Sequence, residues 1–284
     1  MGQSLYGPSS VPQAACRKIR SCRPVRCSRP HDFAGAATFG LALVSLVAAL
    51  TLGRDGWLRA PAWLLLGAAV VLLAGFALME RRTATPMIDL SLLRQRGFLA
   101  SSVGGLFTGL SVIGLFSFLP AVLQRVLGMS AMDTALLTLL WAGLAFVVAL
   151  QARRLAGRVP TRVQPAIAFA LHALGVITMP GALDAGSTTR IVPGMLIAGV
   201  GSGLLNAALP LLAVESVPAA RAAMGSGAQQ TLRYIGSCAG VSLTIAVATS
   251  SSGGPARGTD ITMVVSAVLA LVAAVAVLAL RERS

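Results

Sequence analysis

Few side chains in this chain could do chemistry in an apolar setting, and they can be named one by one. Gln229, Gln230 and Arg233 fall within about one and a half helical turns of one another. A guanidinium there could hold an anionic group, while an arginine near the start of a helix also reaches lipid phosphate by extending its stem. Asn206 stands four residues before Pro210. An amide beside a proline-weakened turn either lines a cavity or bonds to a neighbouring helix. His172 lies near the middle of its segment, about 13 Å from either end, where a permanent charge is costly. It could relay a proton or touch a substrate, or it could simply be hydrogen-bonded between packed helices.

Carboxylates are absent from this set. All nine acidic residues (Asp32, Asp55, Glu80, Asp89, Asp133, Asp184, Glu215, Asp260 and Glu282) read as lying in loops or at helix ends. No mid-membrane carboxylate is therefore expected, although proton coupling normally relies on a buried ionisable group. There is no HExxH, no paired carboxylate and no nucleophile beside a base, so an enzyme is not expected. Cys16, Cys22, Cys27 and His31 are separated by five, four and three residues, whereas structural zinc sites pair cysteines at shorter, turn-defined spacing. No metal or cofactor is expected, and Cys238 reads as a small packing residue.

The elements that must position these residues are apolar runs. Of 284 residues 56% are hydrophobic and 11% charged, with a mean hydropathy of +0.80, which is the composition of a membrane protein. Eight segments, 33–53, 62–79, 98–123, 131–151, 163–182, 191–214, 223–249 and 261–280, each read as long enough to span the hydrocarbon core. The seventh, with Ser, Gln and Arg near its start, needs neighbours to bury it. Small residues recur at helix-packing spacing, Gly199 with Gly203 and Gly236 with Gly240, which lets backbones approach closely for intramolecular packing or dimerisation. Pro120 and Pro210 each close a Gly-bearing run with Leu-Pro at matching places in the third and sixth segments, as a kink or as the trace of an internal repeat.

The net charge of +14 could signal nucleic acid, but its distribution follows topology. Connections on the side of the N-terminus carry 17 basic residues: six in the first 31 positions, four in 81–97, four in 153–162, Arg221, and Arg281 with Arg283. The other side carries five, Arg54, Arg59, Arg125, Arg190 and Arg257. The asymmetry predicts cytoplasmic termini and no nucleic-acid partner. Residues 1–32 form a basic Arg/Pro/Cys-rich arm that reads as disordered, without the apolar core of a secretory signal. It suits palmitoylation or anionic lipid, and its abrupt end also fits a displaced translation start or a reading-frame scar.

The phrases TPMIDLSLLRQRGF, FSFLPAVLQRVLGMSAMDTALLTLL, the ALP of the sixth segment, VESVP and GSGAQQTLRYIGSCAGVSL together resemble the late helices of the fourteen-helix drug:proton antiporters of the major facilitator superfamily. LAGRVPTRVQ sits where that family repeats its Gly- and Arg-rich loop, although the motif's acidic residue is missing. The resemblance covers roughly residues 32–284. It implies an all-α polytopic membrane protein with eight transmembrane helices: two linkers over 33–80, a cytoplasmic loop over 81–97, and a C-terminal six-helix bundle over 98–284. The family's N-terminal bundle has no counterpart here, so the expectation is a truncated half. The implied role is efflux of amphiphilic small molecules across the cell membrane in exchange for protons. Asn206, Gln229, Gln230, Arg233 and His172 are the cavity or coupling candidates, with a separate N-terminal half or a second copy as partner. The alternative is a non-transporting scaffold, a regulatory subunit or a non-functional fragment.

Overall fold

Lipid gives apolar helices no hydrophobic reason to associate, so how closely their backbones can approach decides how they pack. The structure, a computed structural model, describes residues 33–53, 60–82, 95–155 and 160–282, apart from 162, 184, 185, 187, 189 and 252. The amino-terminal arm with its three cysteines and His31 lies outside the described residues, as do Gly157, Arg158 and Arg162 of the Gly/Arg loop.

Among the described residues there are helices and turns but no strand. The helices are α1 (Phe33–Gly53), α2 (Ala60–Arg82), α3 (Arg96–Phe107), α4 (Gly114–Val126), α5 (Ala131–Leu155), α6 (Gln164–Ile177), α7 (Ile191–Glu215), α8 (Ala222–Ser250) and α9 (Gly254–Glu282). A π-helical turn over Thr108–Ile113 joins α3 to α4 in one rod, so the nine helices make eight rods. Six rods are long and apolar enough to cross a membrane; α6 and the core of α1 are shorter.

Two segments depart from the sequence expectation. The sequence predicts a spanning fifth segment over 163–182, but α6 has only 14 residues. Pro180 disfavours helical geometry at Met179, and Gly181 takes the left-handed region at φ 78°. The sequence predicts an eighth segment starting at Ile261, but α9 begins at Gly254. Pro255 fits the first helical positions, where no N–H donor is needed. Asp260 is consequently inside the helix and not in a loop. Its Oδ2 accepts the Gly181 N–H at 2.9 Å, tying α9 to the turn that ends α6. Asp133 does belong at a helix end: Ser130 Oγ accepts the Asp133 N–H at 3.1 Å and donates to its Oδ2 at 2.7 Å, capping α5.

The helices α1 and α2 form a hairpin, with α1 resting on α8. In the remaining bundle α6 packs on α7 and α9, α5 on α7, and the α3–α4 rod on α8 and α9. Its core is built around Leu115, Leu119, Phe169, Met195, Leu205 and Met263.

Glycine sets the spacing on both faces of α7. A Cβ on Gly199 would stand 3.0 Å from the Trp141 carbonyl of α5, and one on Gly203 would run into Ala145 of the same helix. Toward α6, a Cβ on Gly201 would stand 2.6 Å from the Ala168 carbonyl, and one on Gly175 would stand 2.6 Å from the Gly194 carbonyl. Gly236 and Gly240 of α8 pack on the π turn, with Gly240 bringing a Cβ to 2.5 Å from the Leu110 carbonyl. Both small-residue motifs are thus occupied by packing within the chain.

Candidate functional site

Antiparallel packing of α7 on α8 brings two of the polar candidates, Asn206 and Arg233, to one level. Gly225 of α8 meets the Ala213 carbonyl of α7, 3.0 Å from where its Cβ would be. Asn206 lies seven residues beyond Ala213 and Arg233 eight beyond Gly225, so they stand within about 1.5 Å of the same height. The backbone of Arg233 also abuts Gly109, in the π turn of the neighbouring rod. The backbones of Asn206 and Arg233 and a break in regular helical geometry therefore share one level.

Proline adds to that break. Pro120 and Pro210 do not end helices: they lie inside α4 and α7. Each removes the N–H that would bond to the carbonyl four residues back, which belongs to Phe116 in one case and to Asn206 in the other. Serine hydroxyls brace the same region, Ser101 Oγ donating to the Leu209 carbonyl at 2.8 Å and Ser266 Oγ to the Ser111 carbonyl at 2.9 Å.

The candidates differ sharply in exposure. Asn206 is exposed, Gln230 and Arg233 are half-buried, and Gln229 is 1% exposed with its Nε2 lacking an acceptor. At about 100° per residue, Asn206 falls between the face of α7 that meets α5 (Gly199, Gly203) and the face that meets α3 (Leu209). The exposed side of Asn206 therefore lies on the arc of α7 between its α5 and α3 contacts.

Arg233 is the twelfth of 29 residues in α8. Its carbonyl accepts the Ser237 hydroxyl at 2.8 Å. The guanidinium has no carboxylate partner among the described residues.

His172 stands apart from this group. It is fully buried in α6, with its ring 5.9 Å from that of Phe116, which itself stacks on Trp141 at 4.4 Å. The Ala198 backbone approaches the imidazole, yet neither ring nitrogen meets hydrogen-bond geometry, and the Trp141 indole N–H also lacks an acceptor. In this arrangement no substrate reaches His172.

Sequence reasoning missed the π turn. Its only trace is the crowding of Gly104, Gly105, Thr108, Gly109, Ser111 and Gly114, where hydroxyls bond back to the carbonyls of Gly104 and Phe107 at 2.7 Å and weaken regular helix. A concavity of about 570 Å³ lies between the end of α4, the end of α8 and the start of α9, with Arg125, Thr249 and Ser251 among its lining residues.

Long apolar rods packed through glycine define a multi-pass helical membrane protein. Residues 33–241 match the sequence profile of the Major Facilitator Superfamily, and the chain belongs to that family. It is a family of membrane transporters, not of enzymes. The chain is 28% identical over 214 residues to the multidrug resistance protein Stp of Mycobacterium tuberculosis, covering 75% of this chain and 40% of that protein. It is 33% identical over 227 residues to a probable actinorhodin transporter of Streptomyces coelicolor, covering 75% and 38%. The chain thus spans about two fifths of the length of these curated relatives. Its fold is similar to the crystal structure of a bacterial homologue of the human lysosomal transporter Spinster, inward-facing and unoccupied, with a TM-score of 0.51 and 18% identity over 87% of this chain and 64% of that one.

Proposed function

We propose that the chain forms one wall of the substrate cavity of an exporter for amphiphilic small molecules, driven by proton exchange. In this reading it lies in the cell membrane with both termini cytoplasmic, as the excess of basic residues on that side favours. Residues 33–80 serve as a linker pair and 98–284 as a six-helix bundle. The observation that carries the reading is the placement of Asn206 level with Arg233, beside the π turn, on the exposed arc of α7 between its α5 and α3 contacts. An exposed amide in a weakened helix faces a cavity more readily than lipid. The relatives' names, multidrug resistance and actinorhodin transport, support the substrate class.

The test is deletion of the gene in its native host, complemented by the wild-type chain or by Asn206→Ala, with accumulation of amphiphilic dyes measured with and without a protonophore. Protonophore-sensitive efflux that follows the wild-type gene supports the reading; dye levels indifferent to the gene count against it. The alternative reading is a non-transporting scaffold or subunit. Co-purification with a larger membrane complex, without any change in efflux, would select it.

A further inference from the structure

Two helices independently place Arg233 near mid-depth. It lies three residues from the centre of the 29-residue α8, about 4.5 Å along the axis. Its carbonyl rests against Gly109, two residues from the centre of the 31-residue rod over Arg96–Val126. With a hydrocarbon core about 30 Å thick, some 10 Å separate it from the nearer interface, beyond the reach of an extended arginine stem. Snorkelling to lipid phosphate, which a place near the helix start allows, is thereby disfavoured.

A guanidinium at that depth needs a counter-charge, because an unpaired ion in apolar surroundings is expensive. None of the carboxylates whose side chains are described is placed to supply it. Asp133 caps the start of α5, Asp260 is bonded to the turn after α6, and Glu215 ends α7, nine residues or about 13 Å beyond Asn206. One turn before Arg233 on the same face of α8, Gln229 adds a buried amide whose Nε2 has no acceptor. Gly105 opposite leaves it room, since a Cβ there would stand 2.9 Å from that nitrogen. This face of α8 therefore presents donors without acceptors.

We propose that Arg233 recognises the anionic group of the substrate, so that the exported class is amphiphiles bearing a carboxylate, sulfonate or similar oxyanion beside an apolar body. The planar fork of arginine takes such a group by two parallel hydrogen bonds. Asn206, level with it across the α7–α8 contact, adds an amide donor from the other wall. This inference rests on the export reading above and sharpens it.

The test is binding of a matched probe pair, 11-(dansylamino)undecanoic acid and its methyl ester, to the full chain in phosphatidylcholine nanodiscs, followed by dansyl fluorescence. The acid is expected to bind the wild type about tenfold or more tightly than the ester. Arg233→Gln is expected to erase that preference while holding the ester as the wild type does, which also shows that the variant is folded. Arg233→Lys should keep part of it. Equal binding of the two probes, no binding of either, or a preference that survives in Arg233→Gln overturns the proposal; the first is what a carboxylate from another helix paired with Arg233 would give. Displacement of the acid by added phosphatidylglycerol assigns the site to lipid and overturns it too. Acid-selective binding without export of the acid by cells sinks the export reading and leaves the anion site standing. Export of both probes alike, with no preference in binding, does the reverse.

Discussion

The α-carbon of Gly109 and the carbonyl of Arg233 are in contact, leaving no space for even a methyl group between the α3–α4 rod and α8. This contact holds the π turn against the level of the polar candidates. Gly109→Ala must push the rods apart, and overpacking of this kind costs about 1–3 kcal/mol. Gly143→Ala, where a Cβ meets nothing within 4 Å, should be neutral or stabilising by up to about 1 kcal/mol. Thermal unfolding of both variants in one detergent, followed by size-exclusion chromatography, checks this. Equal midpoints would mean that the close approach does not govern stability.

Ser266 ties α9 to the π turn through the Ser111 carbonyl at 2.9 Å. Ser266→Ala is expected to destabilise the bundle by about 0.6 kcal/mol, the average for hydrogen bonds between membrane helices, and by no more than about 1.7 kcal/mol. Ser226→Ala, whose hydroxyl bonds only within its own helix at Ala223, should leave the midpoint unchanged. Indistinguishable unfolding of the two variants would sink the idea that α9 braces the turn.

The apolar runs were readable from sequence because each is long. The first residues of α5 and α7, Ala131 and Ile191, and that of α8, Ala222, fall within one residue of expectation. Hydropathy reports transfer into lipid but not hydrogen bonding, and both shifted boundaries turn on hydrogen bonds. The sixth helix stops inside a still apolar stretch because Pro180 and Gly181 redirect the backbone, and α9 adds two turns through polar residues because Asp260 finds the Gly181 N–H. The π turn carries no apolar signature at all. For the site, residue types were visible but orientation was not. Asn206 and His172 are both lone polar groups in mid-segment, yet one is exposed and the other fully buried, a difference made by which neighbours α7 and α6 acquire.

Asn206 makes no hydrogen bond to the other described residues and lies on the open side of α7. Replacing it with alanine should leave membrane abundance untouched. If its amide contacts substrate, the lost hydrogen bond is worth about 0.5–1.5 kcal/mol, or roughly a two- to tenfold loss of export for substrates that use it. Quantitative blotting beside dye-efflux rates separates the two effects. Reduced abundance would show instead that Asn206 holds helices together.

His172 allows the opposite comparison. Both of its ring nitrogens are buried without hydrogen-bond partners, so the imidazole contributes shape without polar stabilisation. Removing an unsatisfied polar group in favour of an apolar one of similar shape is nearly neutral or stabilising. His172→Phe, which keeps an aromatic ring beside Phe116, should therefore match or exceed the wild-type unfolding midpoint. His172→Asp places a charge among Phe116, Trp141 and the α7 backbone and should prevent accumulation in the membrane. For a packing residue, export by His172→Phe should equal that of the wild type at every external pH tested. A folded, abundant His172→Phe protein that no longer responds to a proton gradient would overturn the packing role and make this buried imidazole a proton carrier.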